Sequence, residues 1–339
     1  MTRASTTLEP ALPAAYGPLS MAVRRVLTGP PSHDHLSRVS ASVRDSDPYG
    51  LDLQLALYMC YELHYRGFAG VDPTWEWHPA LLELRAELER VFLAGVRRDV
   101  GAIDDGHTAA AEMESISIEP LDGTGPSYYL RDHGTWEQMR EYFVHRSLYH
   151  LKEGDPHAFA IPRLTGRAKA AFVAVEFDEY GAGQGARMHQ RLYADLLEAA
   201  DLDPTYLGYL DAVPAESLAT VNLMSLFGLH RRLRGAAVGH FASTEITSSP
   251  GSARMAKALQ RLGAPPACIT FYREHVEADA VHEQVVRLDV VGDLVAREPE
   301  LERDVIFGIR AHAAVENRLA DVIMAAWEQT HSSLRQPLS

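Results

Sequence analysis

Three side chains near residue 280 have the spacing of a metal-binding helix. His275, Asp279 and His282 stand at positions i, i+4 and i+7, so an α-helix would carry all three on one narrow stripe. Two imidazoles and a carboxylate on one stripe form a ligand set for Fe(II), Mn(II) or zinc. Nothing in the local sequence decides between these metals, and the same stripe also suits an ordinary polar helix face.

A single helix cannot surround two metal ions, so any further ligands must come from other helices. Helical bundles with two metal ions take carboxylates and histidines from facing helices, all of them pointing inward. Four residues are candidates. Glu245 lies in a segment of small residues, Glu179 and His189 flank a glycine-rich stretch, and Glu153 ends a helical segment. Each acid also fits a solvated surface position, where most carboxylates lie.

Some neighbouring residues are left out of this predicted ligand set. His240 lies five residues before Glu245 and therefore on a different face of a helix. Glu283 points about 100° away from His282 on an ideal helix. The sequence GAGQG at 181–185 follows no predicted strand, so it is not a dinucleotide-binding fingerprint.

Helical periodicity runs through most of the chain, whereas the alternating pattern of strands is nearly absent. We therefore predict an all-α bundle. The predicted helices cover 51–68, 78–100, 135–153, 166–180, 186–200, 215–233, 236–246, 252–262, 267–297 and 300–330.

Composition divides the chain into three predicted parts. Residues 1–35, rich in Pro, Ser, Thr and Gly, are expected to form a flexible arm. A Gly- and Asp-rich stretch near 101–126 is expected to link an N-terminal helical portion, 36–125, to the main domain, 126–335. Two amphipathic helices within 51–100 present apolar stripes that a second copy would cover, which predicts a homodimer.

The bulk composition excludes several classes of protein. The formal net charge of −14 disfavours nucleic acid and anionic membranes as partners. Cys60 and Cys268 are the only cysteines, which form neither a disulfide framework nor a zinc cluster and suit a reducing compartment. No apolar run approaches the roughly 18 residues of a membrane span, and the N-terminal sequence lacks the pattern of a signal peptide. A cytoplasmic protein is predicted.

The order Glu…His…Glu…His-x-x-x-Asp-x-x-His resembles the haem-oxygenase-like diiron oxidases and oxygenases, a family of iron-containing redox enzymes. Within that family the chain is most similar to the N-oxygenases of natural-product pathways, because the intervals separating Glu179, His189, Glu245 and His275 match theirs. Glu153 falls where the N-oxygenases have an additional glutamate, and either Glu153 or Glu179 can be that extra ligand. The resemblance covers roughly residues 50–330.

The resemblance implies a haem-oxygenase-like helical bundle that binds two Fe(II) ions. It implies dioxygen as co-substrate, an external electron donor, and a small-molecule amine whose nitrogen is oxidised. There are three alternatives. The first is desaturation or C–C cleavage of a small amino or fatty acid, the second is a reaction that consumes a side chain of the protein itself, and the third is non-catalytic iron binding. The implied ligands are Glu153, Glu179, His189, Glu245, His275, Asp279 and His282.

Overall fold

The computed structural model describes residues 9–31, 43–120 and 122–338, and for 277–280 it describes the backbone alone. Within these residues the regular secondary structure is helical, without a strand, which confirms the all-α prediction. The N-terminal helices are α1 (Pro18–Leu27), α2 (Leu51–Glu62), α3 (Pro79–Val100), α4 (Ala109–Ser117) and α5 (Pro126–Asp132).

The second part of the chain holds the longer helices. Helix α12 continues into a short π-helical segment, Val286–Gly292, before α13 begins. The helices are α6 (Trp136–His150), α7 (Asp155–Ala158), α8 (Gly166–Glu179), α9 (His189–Ala199), α10 (Ala215–Leu229), α11 (Arg234–Leu262), α12 (Pro266–Val285), α13 (Asp293–Arg297) and α14 (Glu302–Glu328).

Helix α1 lies within the stretch that was expected to be a flexible arm. Its apolar residues, among them Leu19 and Val23, are buried against α2. The Asp52 carboxylate on α2 accepts hydrogen bonds from the backbone N–H groups of Leu19 and Ser20, at 2.9 and 2.8 Å. Residues 18–27 are therefore packed rather than loose, because their helical apolar spacing outweighs the Pro- and Ser-rich composition around them.

Helix α2 is enclosed by α1, α3 and α10, and every residue from Leu53 to Glu62 is buried. The prediction of an amphipathic helix was therefore wrong here, since its polar residues Gln54 and Glu62 are paired inside the protein. Glu62 binds the Lys152 ammonium at 2.9 Å and accepts a hydrogen bond from the Tyr206 hydroxyl at 2.7 Å. A second copy is not needed to cover α2, and the homodimer stays a prediction.

The predicted linker contains helix α4, which packs against α11 and α14. Thr108 caps its first turn by accepting a hydrogen bond from the Ala111 N–H. Arg310 of α14 holds the buried Glu112 carboxylate through two hydrogen bonds of 2.9 and 2.7 Å. Residues 109–117 are thus an integral part of the packed structure, not a loose connection.

Helix α11 is one continuous helix where the sequence predicted two, at 236–246 and 252–262. Pro250 lies inside it and removes one backbone hydrogen bond. Hydroxyl groups of the preceding turn bond back to the helix, as when Thr247 donates to the Ser243 carbonyl at 2.8 Å. Packing against α12 and α14 keeps the helix continuous across the proline, because burial outweighs one lost hydrogen bond.

None of the helices in the described part of the chain is both long enough and apolar enough to cross a membrane.

The backbones of α11 and α14 come unusually close at two glycines. A Cβ atom added to Gly239 would overlap the Val305 carbonyl, and one added to Gly308 would overlap the Ala236 carbonyl. Both obstacles are backbone atoms, which cannot rotate away as a side chain can. The absence of a side chain at these two positions therefore sets the spacing of the two helices.

We expect Gly239→Ala and Gly308→Ala each to lower the free energy of unfolding by about 1–3 kcal/mol, because the two helices must separate. Gly251→Ala, in α11 but with only the Arg254 guanidinium nearby, is the matched control and should raise it by about 0.5–1 kcal/mol. Urea unfolding measures all three. Equal effects at Gly239 and Gly251 would show that the close crossing is unimportant.

Candidate metal centre

The structure brings six of the seven predicted residues together in the interior. Glu179 is the last residue of α8, His189 is the first of α9, and Glu245 lies in α11. His275 and His282 lie on α12, and Glu153 lies in the turn after α6. All six side chains are buried.

These six side chains form two groups that share one member. In the first, Glu153, Glu179, His189 and His275 each offer a ligand atom, and these atoms all lie within 4.8 Å of one another. In the second, Glu179, Glu245 and His282 meet the same limit. Two adjacent ligand sets that share a carboxylate are the arrangement that two bridged cations require.

Asp279 lies on α12 between His275 and His282, but its side chain is outside the described residues. Its part in the site stays a prediction.

Two glycine-containing turns bring the first group together. Gly154 has a φ of 85°, a value that glycine adopts readily, and it turns the chain directly after Glu153. Between α8 and α9, Gly181 and Gly183 have φ values of 67° and 79°, and this loop returns His189 to Glu179. The glycine-rich break that the sequence predicted is therefore the device that joins these two residues.

Each close pair in the first group sets an imidazole nitrogen against a carboxylate oxygen. The His275 Nδ1–H donates to the Phe271 carbonyl oxygen at 2.8 Å, which leaves the lone pair on Nε2. That Nε2 faces the Glu153 Oε1 at 3.5 Å. His189 Nδ1 lies 2.8 Å from Glu179 Oε2, yet neither atom has a hydrogen-bond partner among the described residues.

Buried polar atoms without partners are costly, and a cation beside Glu179 Oε2 would satisfy that carboxylate oxygen. A second oxygen of Glu153 is also buried without a partner in the described chain. Carboxylate oxygens and imidazole nitrogens together suit iron and manganese. The residues present therefore fit a metal centre.

Electrostatic coupling within the first group is strong. Burial alone would raise the pKa of Glu153, but the imidazoles of His150 and His275 outweigh it and hold that pKa well below the usual range. Burial would lower the pKa of His189, yet the adjacent Glu179 carboxylate raises it above normal. The site thus favours an ionised Glu153, the form that binds metal, whereas a metal at His189 must compete with a proton.

In the second group, His282 lies between two carboxylates. Its Nδ1 is 3.2 Å from Glu245 Oε2, and its Nε2 is 3.0 Å from Asp178 Oδ2. Asp178 is half exposed, with 50% of its side chain accessible, so this position lies nearer to the surface than the first group does.

Sequence reasoning missed three residues that contact or surround the site. Asp178 pairs with His282, His150 Nδ1 lies 2.9 Å from Glu153 Oε1, and Glu176 is buried beside the acids of the site. His150 and Glu176 each stand three residues before a predicted ligand, which places them on the same helical side. That spacing was the available signal.

A cavity of about 430 Å³ adjoins the centre on one side only. Glu153 and His275 of the first group line it, whereas none of the other described ligand candidates does. Its further walls include aromatic side chains, a row of hydroxyl groups from α11 and polar residues of α14: Tyr142, Tyr149, Ser243, Thr247, His312 and Glu316. A small molecule in this cavity would meet the first group and not the second.

Two polar contacts shape the cavity wall. Arg146 on α6 binds Glu316 on α14 through two hydrogen bonds of 2.9 and 2.6 Å, so their charges cancel. His312 Nδ1 pairs with the Ser243 hydroxyl at 2.8 Å. Burial, opposed by Glu316, lowers the pKa of His312, which keeps this imidazole neutral at pH 7.

A helical bundle with buried carboxylate–histidine groups of this kind defines the class of metal-binding, all-α proteins. The family model of the iron-containing redox enzymes matches residues 140–317, more than half of the 339-residue chain. The chain belongs to the iron-containing redox enzyme family, and the predicted resemblance to this haem-oxygenase-like family is confirmed. It is therefore an oxidoreductase, and all seven predicted ligands fall within the matched range. A search of curated proteins finds no match.

The shared carboxylate gives a test of the two-group arrangement. Glu179→Gln should weaken metal binding at both positions, because an amide oxygen carries no charge to neutralise a cation. Glu245→Gln should weaken one position by about 10-fold or more and leave the other largely intact. Anaerobic titration with Fe(II), followed by metal analysis of the isolated protein, measures both.

Glu89→Gln is the matched control for this test. Glu89 is equally buried but is paired with Arg85 and His230, so its replacement should lower stability and leave metal content unchanged. If Glu179→Gln and Glu245→Gln lost the same single metal, Glu179 would not be shared.

Proposed function

We propose that this protein is a non-haem diiron oxygenase that uses dioxygen to oxidise an amine or amino group of a small molecule. The observation that supports two metal ions is the pair of buried ligand groups that share Glu179. The family match supports iron. The intervals between the candidate ligands support the N-oxygenase branch of the family.

In this proposal the first iron position is held by Glu153, Glu179, His189 and His275, and the second by Glu179, Glu245 and His282 together with Asp279. When bound, the irons supply the redox chemistry with dioxygen that no side chain can perform. Because Glu179 belongs to both groups and Glu153 to one, we assign Glu153 as the additional carboxylate that characterises the N-oxygenases.

The protein orients its ligands before any metal binds. The Phe271 carbonyl fixes the His275 tautomer, so that Nε2 carries the lone pair toward the site. Tyr193 and Phe271 pack around the His150 ring, with ring centroids at 4.6 and 5.0 Å. These contacts pack aromatic rings beside the first group, and burial strengthens the electrostatic interactions within it.

The cavity beside the first group is the substrate site in this proposal. An alkyl amine arrives as an ammonium ion, whose nitrogen must lose a proton before its lone pair can react. His312 lines the cavity, and in the tautomer whose Nδ1–H donates to the Ser243 hydroxyl its neutral imidazole can accept that proton at Nε2. The negative charge of Glu316 favours the resulting imidazolium, and Arg146 opposes it.

The chain has no flavin or nicotinamide motif, so electrons to re-reduce the irons come from an external donor. A cytoplasmic homodimer remains our expectation for the assembled enzyme. The negative net charge of −14 supports a small molecule rather than nucleic acid as the partner.

A stopped-flow experiment tests this function. The Fe(II)-loaded protein is first mixed anaerobically with a panel of amines and is then mixed with dioxygen. We expect the true substrate to accelerate dioxygen consumption and to retain ¹⁸O from labelled dioxygen on its nitrogen. An unsaturated or cleaved product without label would identify an oxidase instead. Single turnover with a change in the protein's mass would identify self-sacrificing chemistry, and no acceleration by any amine would favour an iron-binding bundle.

Blocking the cavity tests whether the substrate reaches the first group through it. Ala313 on α14 lines the cavity, so Ala313→Trp should reduce substrate-dependent dioxygen consumption by about a hundredfold while iron content stays unchanged. Ala314→Trp, on the same helix but outside the cavity lining, is the matched control. Equal activity in the two variants would place the substrate elsewhere.

A further inference from the structure

Glu176 on α8 is a buried carboxylate that the ligand assignment leaves unexplained. Its exposed fraction is 2%, and both of its carboxylate oxygens lack a hydrogen-bond partner among the described residues. Glu62, another deeply buried glutamate, is satisfied by Lys152 and Tyr206. Glu62 and Glu176 are therefore both buried, but only Glu62 has hydrogen-bond partners among the described residues.

The groups with the greatest electrostatic effect on Glu176 are acidic. They are Glu179, Glu245, Asp155 and Glu153, three of which are candidate metal ligands. An ionised Glu176 would face like charges in a medium of low dielectric constant, and a protonated Glu176 would have no acceptor for its O–H. Neither form is satisfied by the described chain alone, whereas an adjacent cation would satisfy the ionised form.

The local backbone reserves space for this carboxylate. Glu176 stands one helical turn before Glu179, on the same side of α8. A Cβ atom added to Gly154 would lie 3.2 Å from the Glu176 Oε2, so the turn after Glu153 leaves room for the Glu176 head group. Glu176 thereby lies close to Gly154, the residue after the predicted ligand Glu153, and one turn from Glu179.

We propose that Glu176 is a further carboxylate ligand of the metal centre, which binds a divalent cation together with Glu179 and Glu245. The inference rests on the metal centre of the proposed function and extends its ligand set. Glu176 belongs to neither of the two tight groups of ligand atoms, so it joins them when a cation draws its carboxylate inward. Its negative charge would help to offset two divalent ions in a buried site.

The test uses the full chain with Mn(II) alone as the probe. Glu176→Gln keeps the size of the side chain and removes its charge. We expect its Mn(II) affinity at one of the two positions to fall about 10-fold, and the metal-free variant to melt at the same or a higher temperature than the parent, since like charges no longer face each other. The rise in melting temperature on adding Mn(II) should be smaller than in the parent.

Glu62→Gln is the matched control. It removes the partner of the buried Lys152 ammonium, so it should lower the melting temperature equally with and without Mn(II), and leave Mn(II) affinity unchanged. Glu176→Ala, which removes the whole head group, should reproduce the affinity loss and so excludes an effect peculiar to the amide.

The outcomes separate this inference from the proposed function. Unchanged Mn(II) affinity in Glu176→Gln, while the parent binds two ions, overturns the ligand role of Glu176 and leaves the metal centre standing. A metal-free Glu176→Gln that melts well below the parent shows a structural role instead. A parent chain that binds no Mn(II) or Fe(II) overturns both proposals, whereas metal binding without dioxygen chemistry overturns only the oxygenase.

Discussion

The structure depends on the burial of several carboxylates in one small region of low dielectric constant. Glu153, Glu176, Glu179 and Glu245 are all at least nine-tenths buried. Like charges at such depth repel strongly, and the imidazoles of the site compensate only part of that repulsion. The helices that carry these acids must therefore be held by packing elsewhere, and the extensive apolar core that runs from Leu19 to Leu334 provides it.

The close crossing of α11 and α14 shows how that packing acts on the site. Gly239 and Gly308 let the two backbones touch, six residues before Glu245 and four residues before His312 respectively. One helix thus carries a candidate ligand and the other a residue of the cavity wall. Their separation is set by backbone contact, which is stiffer than contact between long side chains.

Much of the site could be predicted from the sequence, because its signals are local. The spacing of His275 and His282 needs only helical geometry, and the glycines after α8 mark the turn that returns His189. Glu176 and Asp178 were not predicted as site residues, because an acid in a helix with many polar residues is normally expected on the surface until its burial is known. The continuity of α11 through Pro250 was also not predicted, since tertiary packing outweighed the tendency of proline to end a helix.

The one-sided cavity makes the two halves of the centre chemically unequal. Among the described ligand candidates, only Glu153 and His275 of the first group line the internal space, while His282 of the second contacts the half-exposed Asp178. If two ions bind as proposed, a chelator that enters through the cavity would meet the first group before the second. The proposed diiron form would then exchange its two metal ions at different rates, because the two ligand groups have different surroundings.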